Sequence, residues 1–454
     1  MYHQLHIPGP VVIKIIGLVS TIITHVMGTS YFYITNQKKY QMKKILILGA
    51  GMAGTVMANK LLLSLNKNLW EITVVDKDEN HYYQPGFLFI PFGIYDPEDV
   101  VKPKKEFIPK EVNFILKEVQ KVIPENNQVL LKDGVVLTYD ILIVATGTVP
   151  VPEETEGLKG ELWYKDIFDF YTYEGTTRLA KKLENWQGGR LVINLAETLI
   201  KCPVAPLEFT FLADAYFTEK GIRDKVEIFY VTPLSGAFTK PKATAMLNKL
   251  MDEKNIHVVP DFYLQRVDNE RKVLISYDEK EVPFDLLVSI PVNKGDQMVE
   301  ESNMGDEDGL NFIPTNKNTL QSKKYENMFV IGDATNVPAS KAGSVAHFEA
   351  EILTENILSY INGLPFEASF DGHANCFIET GFGKATLIDF NYTTEPLPGK
   401  FPFAMVGPMD LLKVTRANHM GKLAFKWVYW HMLLTGKKLP VTTHMSMTGK
   451  LVEN

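Results

Sequence analysis

Cysteine is nearly absent from this sequence of 454 residues, which contains only Cys202 and Cys376. So small a number excludes a disulfide-stapled scaffold and any metal site with four cysteine ligands. Two cysteines are nevertheless the number that a redox-active pair requires. The alternative is that both are small buried hydrophobic residues, which is the common role of free cysteines. The cysteine count therefore leaves redox chemistry and simple packing as two open interpretations.

An excess of positive charge is also missing. The chain has 47 lysine and arginine residues against 54 aspartate and glutamate residues, for a formal net charge of −7 at pH 7. A nucleic-acid-binding protein is expected to present a basic face to phosphates, so this class of partner is excluded. The composition, 45% hydrophobic and 22% charged, is that of a globular protein. The length suffices for two or three packed units.

Formal charge is absent between Lys14 and Lys38, near the N-terminus. Residues 15–34 are mostly apolar and are long enough, at about 20 residues, to cross a bilayer as a helix. Glycines, β-branched residues and His25 weaken that helix, so residues 1–41 are interpreted either as a membrane anchor or as a dispensable extension. If the segment spans a membrane, the lysines at positions 38, 39, 43 and 44 favour the cytoplasmic face for the rest of the protein.

A glycine-rich turn, GAGMAG at 49–54, directly follows the apolar run 44–48 and precedes a helical pattern that extends to about residue 65. In this order, Gly49 makes the tight turn, Gly51 lets the backbone approach a pyrophosphate, and Gly54 allows close helix packing. A second predicted strand, 71–76, ends in Asp76, which can accept hydrogen bonds from ribose hydroxyls. The pattern predicts a dinucleotide-binding unit with phosphates at the helix N-terminus. The alternative is a glycine-rich turn of another α/β protein.

Further strand patterns predict the rest of the architecture. Residues 139–147 end in Thr146-Gly147, residues 327–334 contain Gly332-Asp333, and residues 284–291 repeat the aromatic-Asp start of the first of these patterns. Two apolar strands, 189–195 and 225–231, flank a helical pattern and predict a second βαβ unit. The predicted fold class is therefore α/β, with two Rossmann-like dinucleotide-binding domains. The predicted boundaries are 42–155 and 275–362 for the first, discontinuous domain, 156–274 for the second, and 363–454 for a C-terminal region.

Glycine is missing where a second nucleotide fingerprint would stand. The predicted strand 190–195 is followed by AETLIKCP at 196–203, which contains no glycine. Side chains at these positions would keep the backbone away from a pyrophosphate, and a left-handed turn would be strained. A nicotinamide nucleotide is therefore not the expected electron donor.

A cysteine motif occupies this place instead. The sequence KCPVAP at 201–206 is similar to the K-C-x-x-A-P motif of sulfide:quinone oxidoreductases, and Cys376 stands in NCF at 375–377, where that family has its second redox cysteine. Residues 43 to 454 together resemble this family of flavoproteins with two dinucleotide-binding domains. The resemblance implies that Cys202 and Cys376 are a catalytic redox pair. It also implies that FAD is the cofactor and is contacted by Gly49, Gly51, Gly54, Asp76, Thr146, Gly147, Gly332 and Asp333.

The family resemblance also implies a chemistry for the cysteine pair. Sulfide, as HS⁻, would attack a sulfur bridge between the two residues, leaving a persulfide on one and freeing the other as a thiolate that reduces the flavin. The resemblance favours Cys376 as the holder of the growing sulfur chain. The best-described family members have a third cysteine upstream, which in some of them binds the flavin covalently. This chain lacks it, which favours non-covalent FAD.

Two charged residues are candidates for supporting roles. Glu208, six residues after Cys202, is a candidate proton acceptor, with a solvated helix residue as the alternative. Lys384 is a candidate for stabilising the negative charge of the reduced flavin, with an ordinary surface lysine as the alternative.

A membrane quinone is the implied electron acceptor, and the protein is expected to contact the bilayer surface. Phe377, next to Cys376, and the turn with Phe401 and Phe403 are candidates for the aromatic walls of a quinone site, with core packing as the alternative. Residues 421–434 are too short to span a bilayer and predict a monotopic interfacial helix, with a buried core helix as the alternative. The protein is expected to be membrane-associated, and the sequence leaves open whether it forms a homo-oligomer.

Three other functions share parts of this pattern. A type II NADH:quinone oxidoreductase would need the missing second glycine fingerprint. The flavin subunit of a flavocytochrome-type sulfide dehydrogenase would need an export signal and a haem partner. A non-catalytic flavin-binding membrane protein would keep the fold, but would have no need of two cysteines at the redox positions.

Overall fold

The computed structural model of the protein describes residues 41–403 and 406–452. Residues 1–40 lie outside the described residues. The prediction of either an anchor or an extension for residues 1–41 falls on them and stays a prediction. The α-helices of the described part are α1 (Met52–Ser64), α2 (Tyr173–Asn185), α3 (Ala205–Glu219), α4 (Pro241–Glu253), α5 (Gln297–Glu301), α6 (Gly343–Ile361) and α7 (Arg416–Val428). None of these helices combines the length and the apolar character needed to cross a membrane.

The first sheet consists of five parallel strands, and its central strand is buried on both faces along most of its length. Alternate residues of its central strand face different cores: Ile45 and Ile47 pack with α1, whereas Leu46 and Leu48 pack with an antiparallel sheet on the other side. This double burial explains why the strand is apolar throughout instead of alternating. In spatial order the five strands are Met328–Val330, Ile141–Val144, Lys43–Leu48, Trp70–Asp76 and Asn113–Leu116. The covering sheet contains Val119–Ile123, Gln128–Leu131 and Val136–Thr138.

The second sheet repeats this arrangement, with helices including α3 on one face and a three-stranded antiparallel sheet on the other. Its parallel strands, in spatial order, are Ile167–Phe168, Leu286–Ile290, Gly189–Leu195, Val226–Val231 and Ile256–Val259. The covering sheet contains Leu264–Asp268, Val273–Ser276 and Glu281–Pro283. The predicted α/β fold with two Rossmann-like units is confirmed.

The boundary between the two units differs from the predicted one. The strand Leu286–Ile290 was expected within the segment 275–362 of the first domain, but it pairs in parallel with Gly189–Leu195 of the second sheet. The chain returns to the first unit after Ile290, where Asn293–Gly295 pairs antiparallel with Thr148–Pro150.

The repeated aromatic-Asp motif explains this difference. Asp140 Oδ2 accepts a 2.7 Å hydrogen bond from the backbone N–H of Lys44, at the start of the central strand of the first sheet. Asp285 Oδ2 accepts a 2.7 Å hydrogen bond from the backbone N–H of Arg190 in the second sheet. The motif therefore marks the equivalent strand of each unit and does not mark a return to the first.

A four-stranded C-terminal sheet packs against α3 and α7 and carries Cys376. Its strands, in spatial order, are Ala374–Gly381, Lys384–Phe390, Met409–Leu411 and Gly399–Phe401. A small pair, Asn80–Tyr82 and Val101–Pro103, lies outside the large sheets. Because α3 begins just after Cys202 and packs on the strand that contains Cys376, the fold brings two distant parts of the chain to one place.

Candidate active site

The glycine-rich turn after the first strand has three different environments. A Cβ on Gly49 would lie 2.5 Å from the carbonyl oxygen of Ala145, and φ of Gly49 is +95°, so only glycine fits this turn without strain. A Cβ on Gly54 would lie 1.9 Å from the carbonyl oxygen of Gly49, which is helix-to-turn packing. Gly51 has nothing within 4 Å of such an atom. The backbone at Gly51 is therefore open to the approach of another group.

Asp76, at the end of the second strand, is held in place by protein donors. Its Oδ2 accepts a 2.6 Å hydrogen bond from the backbone N–H of Ala50. Its Oδ1 accepts from the backbone N–H of Asp78 and from Lys104 Nζ, each at 2.8 Å. An ionised carboxylate can accept about four hydrogen bonds, so Asp76 still has capacity for a hydroxyl donor.

The turns after two further strands of the first sheet border the same place. Gly332 lies against the first turn of α1, because a Cβ on it would be 3.4 Å from the Cβ of Ala53. Asp333 follows Gly332, and burial raises the pKa of its carboxyl although Lys341 and Lys201 oppose the shift. Thr146, followed by Gly147 at φ +68°, has a buried hydroxyl with no hydrogen-bond partner among the described residues.

The backbone of Cys202 is connected by hydrogen bonds to the turn that contains Asp333. Its N–H donates a 2.6 Å hydrogen bond to the carbonyl oxygen of Lys341, and the ammonium of Lys341 donates to the carbonyl oxygen of Asp333 at 2.8 Å. The φ angle of Cys202 is +49°, a left-handed conformation that is unfavourable for a residue with a Cβ. Hydrogen bonds of 3.0 Å from the Tyr171 hydroxyl and from the backbone N–H of Ala205 to the Cys202 carbonyl oxygen help to hold it.

Cys202, Cys376 and Glu208 form one buried cluster, which we call the cysteine chamber and in which the three groups act on one another electrostatically. Cys376 is 8% exposed and Cys202 is partly buried against the same hydrophobic core. Both thiols are free. Burial raises the pKa of Cys202 to about 12, with a further contribution from the Glu208 carboxylate and a counteracting one from Lys422. Burial also raises the pKa of Cys376. Repulsion from the thiolate form of Cys202 and from the Glu208 carboxylate raises it further.

Glu208 is not the solvated helix residue that was the alternative, since it is 1% exposed. Its Oε1 accepts a hydrogen bond from the ammonium of Lys422 and a 2.8 Å hydrogen bond from the backbone N–H of Glu379. Burial raises the pKa of Glu208, and Lys422 offsets this only in part. Burial opposes the charge of Lys422, but Glu208 and Glu379 outweigh this effect and raise its pKa. The chamber thus contains a buried carboxylate–ammonium pair.

Lys422, Glu379 and His419 are site residues that the sequence analysis missed. His419 Nδ1 contacts both carboxylate oxygens of Glu379, at 3.0 and 2.9 Å. Lys422 also donates a 3.3 Å hydrogen bond to the carbonyl oxygen of Phe377, next to Cys376. The only available signal was the position of His419 and Lys422 three residues apart, which places both on neighbouring positions of one helix surface.

Comparison with known proteins places this arrangement in a family. Residues 43–350 match the pyridine nucleotide-disulphide oxidoreductase family. The chain is 30% identical over 408 residues to the mitochondrial sulfide:quinone oxidoreductase of Dictyostelium discoideum, covering 88% of each protein. The chain belongs to the sulfide:quinone oxidoreductase family. This confirms the resemblance that the cysteine motifs indicate.

Two further comparisons bear on this assignment. The solved structure of the sulfide:quinone oxidoreductase from Aquifex aeolicus aligns with a TM-score of 0.74 at 20% identity, over 87% of this chain and 92% of the other, which supports the fold. A type II NADH:quinone oxidoreductase of Staphylococcus aureus is 26% identical over 416 residues, covering 85% of this chain and 98% of the relative. It is thus a more distant relative than the Dictyostelium enzyme.

Members of the sulfide:quinone oxidoreductase family are flavoproteins, and this chain binds FAD. The residues present fit the cofactor. The open backbone at Gly51 leaves room for a pyrophosphate, and the free acceptor capacity of Asp76 suits a ribose hydroxyl. The buried hydroxyl of Thr146 has no hydrogen-bond partner among the described residues, and a polar group of the cofactor could supply one. A second glycine turn is absent after Gly189–Leu195, where the strained Cys202 turn stands instead.

Lys384 lies apart from the chamber. It is exposed at the end of the turn 381–383, where Gly381 contacts Ala215 of α3 and Phe382 lies under Lys254, with Nζ 4.7 Å from the ring centroid. The predicted contact of Lys384 with the flavin therefore stays a prediction, with an ordinary surface lysine as the alternative. Lys422 is a buried cation beside the cysteines, and local sequence could not single it out because its partners come from other elements.

The three predicted quinone-site phenylalanines occupy different environments. The ring of Phe377 packs on α7, where a Cβ on Gly421 would be 3.0 Å from its Cζ. Phe401 is partly buried in an edge strand and Phe403 is 56% exposed. Met409, at the end of this turn, also contacts Gly421 through its sulfur. The structure thus puts only Phe377 on α7 and beside the cysteine chamber, and a quinone-site role of Phe401 and Phe403 stays a prediction.

The predicted interfacial helix 421–434 is wrong in its second half. Tyr429 and Trp430 are buried, and they pack on Tyr83 at a centroid distance of 4.9 Å and on Phe107 at 5.2 Å, respectively. The aromatic residues of this segment predicted an exposed surface because their packing partners lie more than 300 positions earlier in the chain, outside any local pattern. The first half does present apolar side chains, since Trp427 is 60% exposed.

Proposed function

We propose that this protein oxidises sulfide through the pair Cys202 and Cys376 and passes the electrons by way of FAD to a membrane quinone. The observation that supports the proposal is the burial of Cys202, Cys376 and Glu208 in one electrostatically coupled cluster, which hydrogen bonds through Lys341 connect to Asp333. Among the curated relatives, the Dictyostelium protein that it matches at 30% identity is named for this reaction.

The proposed reaction begins with the cysteines joined by a sulfur bridge. HS⁻ attacks the sulfur of Cys376, so that a persulfide forms there and the bond to Cys202 breaks, leaving Cys202 as a thiolate. Glu208 takes the remaining proton of the persulfide, which its raised pKa favours. Closure of the bridge with one additional sulfur then releases two electrons. FAD, when bound, accepts these two electrons and delivers them to the quinone.

The chain itself prepares the chamber for this chemistry. The positive charge of Lys422 stabilises a thiolate or persulfide anion, since it lowers the pKa of both cysteines against the effect of burial. The hydrogen bonds from Tyr171 and Ala205 hold Cys202 in its left-handed conformation. We infer that FAD is bound without a covalent link, by the eight residues named above, because both cysteines are engaged in the redox pair.

A quinone site and a membrane surface complete the proposal. We assign Phe377 to the wall of the quinone site, because its ring lies between the cysteine strand and α7, and Phe401 and Phe403 to its outer edge. The exposed apolar residues Phe403, Val406, Met420 and Trp427, which we call the apolar patch, lie on α7 and the adjoining turn. We propose that this patch contacts the bilayer surface and so holds the enzyme at the membrane as a peripheral protein.

Anaerobic addition of sulfide to the purified FAD-loaded protein tests the function. Sulfide is expected to bleach the oxidised-flavin absorbance, and a short-chain quinone is expected to restore it. NADH, added to a parallel sample, is expected to leave the absorbance unchanged. Bleaching by NADH instead of sulfide would show a type II NADH:quinone oxidoreductase, and no response to either donor would show a non-catalytic flavoprotein.

A further inference from the structure

A second acid–base pair lies behind the cysteine chamber. The side chain of Glu379 is fully buried, whereas that of His419, which contacts both of its carboxylate oxygens, is 18% exposed. Histidine is the side chain that exchanges protons most readily near neutral pH. The pair therefore joins a buried carboxylate to a residue that reaches solvent.

This pair adjoins Glu208. The backbone N–H of Glu379 donates to Glu208, and Lys422, one helical turn after His419 on α7, donates to the same carboxylate. Lys422 also interacts electrostatically with Glu379. We call the four side chains of Glu208, Lys422, Glu379 and His419 the charge relay.

The charges of the relay do not balance without an additional proton. Two carboxylates and one ammonium leave one negative charge, and an uncompensated charge is costly in a buried site. The other ionisable groups that act on Glu208 and Glu379 are the cysteines, Tyr83, Tyr95 and Tyr171. Burial raises the pKa of these three tyrosines, that of Tyr95 to about 12, so they stay neutral. Burial also raises the pKa of Glu208 and of Glu379, so either carboxylate can hold the additional proton.

We propose that His419, through Glu379, releases to solvent the protons that sulfide oxidation leaves in the cysteine chamber. The proposal rests on the proposed function, in which each HS⁻ loses one proton. The S–H bond of the persulfide breaks and an O–H bond forms on Glu208. The proton then passes from Glu208 to the carboxylate of Glu379, which acts electrostatically on Glu208. His419, which contacts both oxygens of Glu379, takes the proton and passes it to water, while Lys422 keeps its protons and its positive charge. One proton leaves the chamber for each sulfur added, and no electrons move along the relay.

The test is the variant His419→Gln in the FAD-loaded enzyme. Glutamine keeps an N–H donor for Glu379, but its amide cannot take up and release a proton near neutral pH. A merely structural role of His419 is therefore preserved in this variant, and a role in proton transfer is lost. We expect kcat for sulfide-dependent reduction of a short-chain quinone to fall about tenfold or more. We also expect a changed pH profile, a larger solvent deuterium effect and partial recovery with added imidazole. Glu379→Gln, which removes the inner carboxylate, should reproduce the loss without recovery by imidazole.

His257→Gln is the matched control, because His257 is exposed on a strand of the second sheet and should leave all four readouts unchanged. A His419→Gln enzyme with the kcat and pH profile of the unchanged protein overturns the proposal. If His419→Gln does not fold, a Glu379→Gln enzyme with an unchanged pH profile overturns it equally. If sulfide fails to bleach the flavin of the unchanged protein, the proposed function fails and the relay with it. If sulfide bleaches the flavin of the unchanged protein and His419→Gln has normal kinetics, only the relay proposal is overturned and the proposed function stands.

Discussion

The ammonium of Lys422 donates a hydrogen bond to the carboxylate of Glu208 across 214 positions of the chain, and neither side chain is more than 12% exposed. The pair joins α7 to α3 directly beside the two cysteines. Each charge is buried with the other as its main compensation, so neither residue can be removed without leaving its partner unpaired. This relationship makes the C-terminal region part of the chamber.

Replacement of Lys422 by methionine is expected to lower the free energy of unfolding by about 3 to 5 kcal/mol, because Glu208 is then left as a buried unpaired carboxylate. The double variant Lys422→Met with Glu208→Gln should regain a large part of this loss. Urea denaturation of the three proteins measures both effects. The control is Lys117→Met, which breaks an ion pair whose side chains are 45% and 42% exposed, and it should cost about 1 kcal/mol or less. A similar small loss for both lysines would contradict a buried pair.

The raised pKa of Cys202 predicts slow alkylation of the reduced protein near neutral pH. A thiol reacts as its thiolate, and a pKa of about 12 leaves Cys202 protonated at pH 8. The rate of its modification by iodoacetamide should therefore rise about tenfold for each pH unit between 8 and 10. A free cysteine peptide, with a pKa of about 8.5, should level off above pH 9. Mass spectrometry of the Cys202 peptide follows the rate, and a plateau for Cys202 below pH 9 would contradict the prediction.

Local patterns were sufficient to predict the parts of this fold that depend on backbone geometry. The spacing of Gly49, Gly51 and Gly54 follows from the turn itself, so the prediction needed no knowledge of distant residues. The two cysteine motifs were recognisable because they stand at family positions. Asp140 and Asp285 illustrate the limit, since their shared motif was correct but the sheet to which the second strand belongs depends on pairing that no local window contains.

The missed residues share a physical cause. Glu379 and Lys422 belong to two separate elements, and each is an ordinary charged residue in its own segment. Their partner Glu208, which was predicted, lies on a third element. Only tertiary packing makes their burial tolerable, by supplying opposite charges at hydrogen-bonding distance. Trp430 was misassigned for the same reason, because its stacking partner Phe107 comes from a distant part of the chain.

Alanine substitutions at two neighbouring glycines should separate folding from cofactor binding. Gly54→Ala places a Cβ 1.9 Å from the carbonyl oxygen of Gly49, and such overpacking is expected to cost about 1 to 3 kcal/mol or more. Gly51→Ala meets no protein atom within 4 Å, so the protein should fold normally and bind FAD at least tenfold more weakly. Urea denaturation without FAD and flavin titration measure the two effects. Normal FAD affinity in Gly51→Ala would contradict a pyrophosphate at this turn.

Exposed apolar residues on α7 predict binding to lipid. Trp427 and Met420 are 60% and 62% exposed and lie seven positions apart on one helix face, with Phe403 and Val406 on the adjoining turn. Burial of such side chains in the bilayer interface contributes about 1 to 3 kcal/mol each. Trp427→Ser should therefore weaken binding to phospholipid vesicles by about tenfold, as measured by co-sedimentation.

The matched control for this change is Tyr277→Ser, which removes an aromatic side chain that is 71% exposed but belongs to the turn of the antiparallel sheet covering the second unit. If the apolar patch is the bilayer contact, the control should bind vesicles as the unchanged protein does. Sulfide should still bleach the flavin of Trp427→Ser at the normal rate, because Trp427 is largely exposed whereas the cysteine chamber is buried. Electron transfer to a long-chain quinone embedded in vesicles should slow. Equal vesicle binding by Trp427→Ser and Tyr277→Ser would remove α7 as the site of membrane contact.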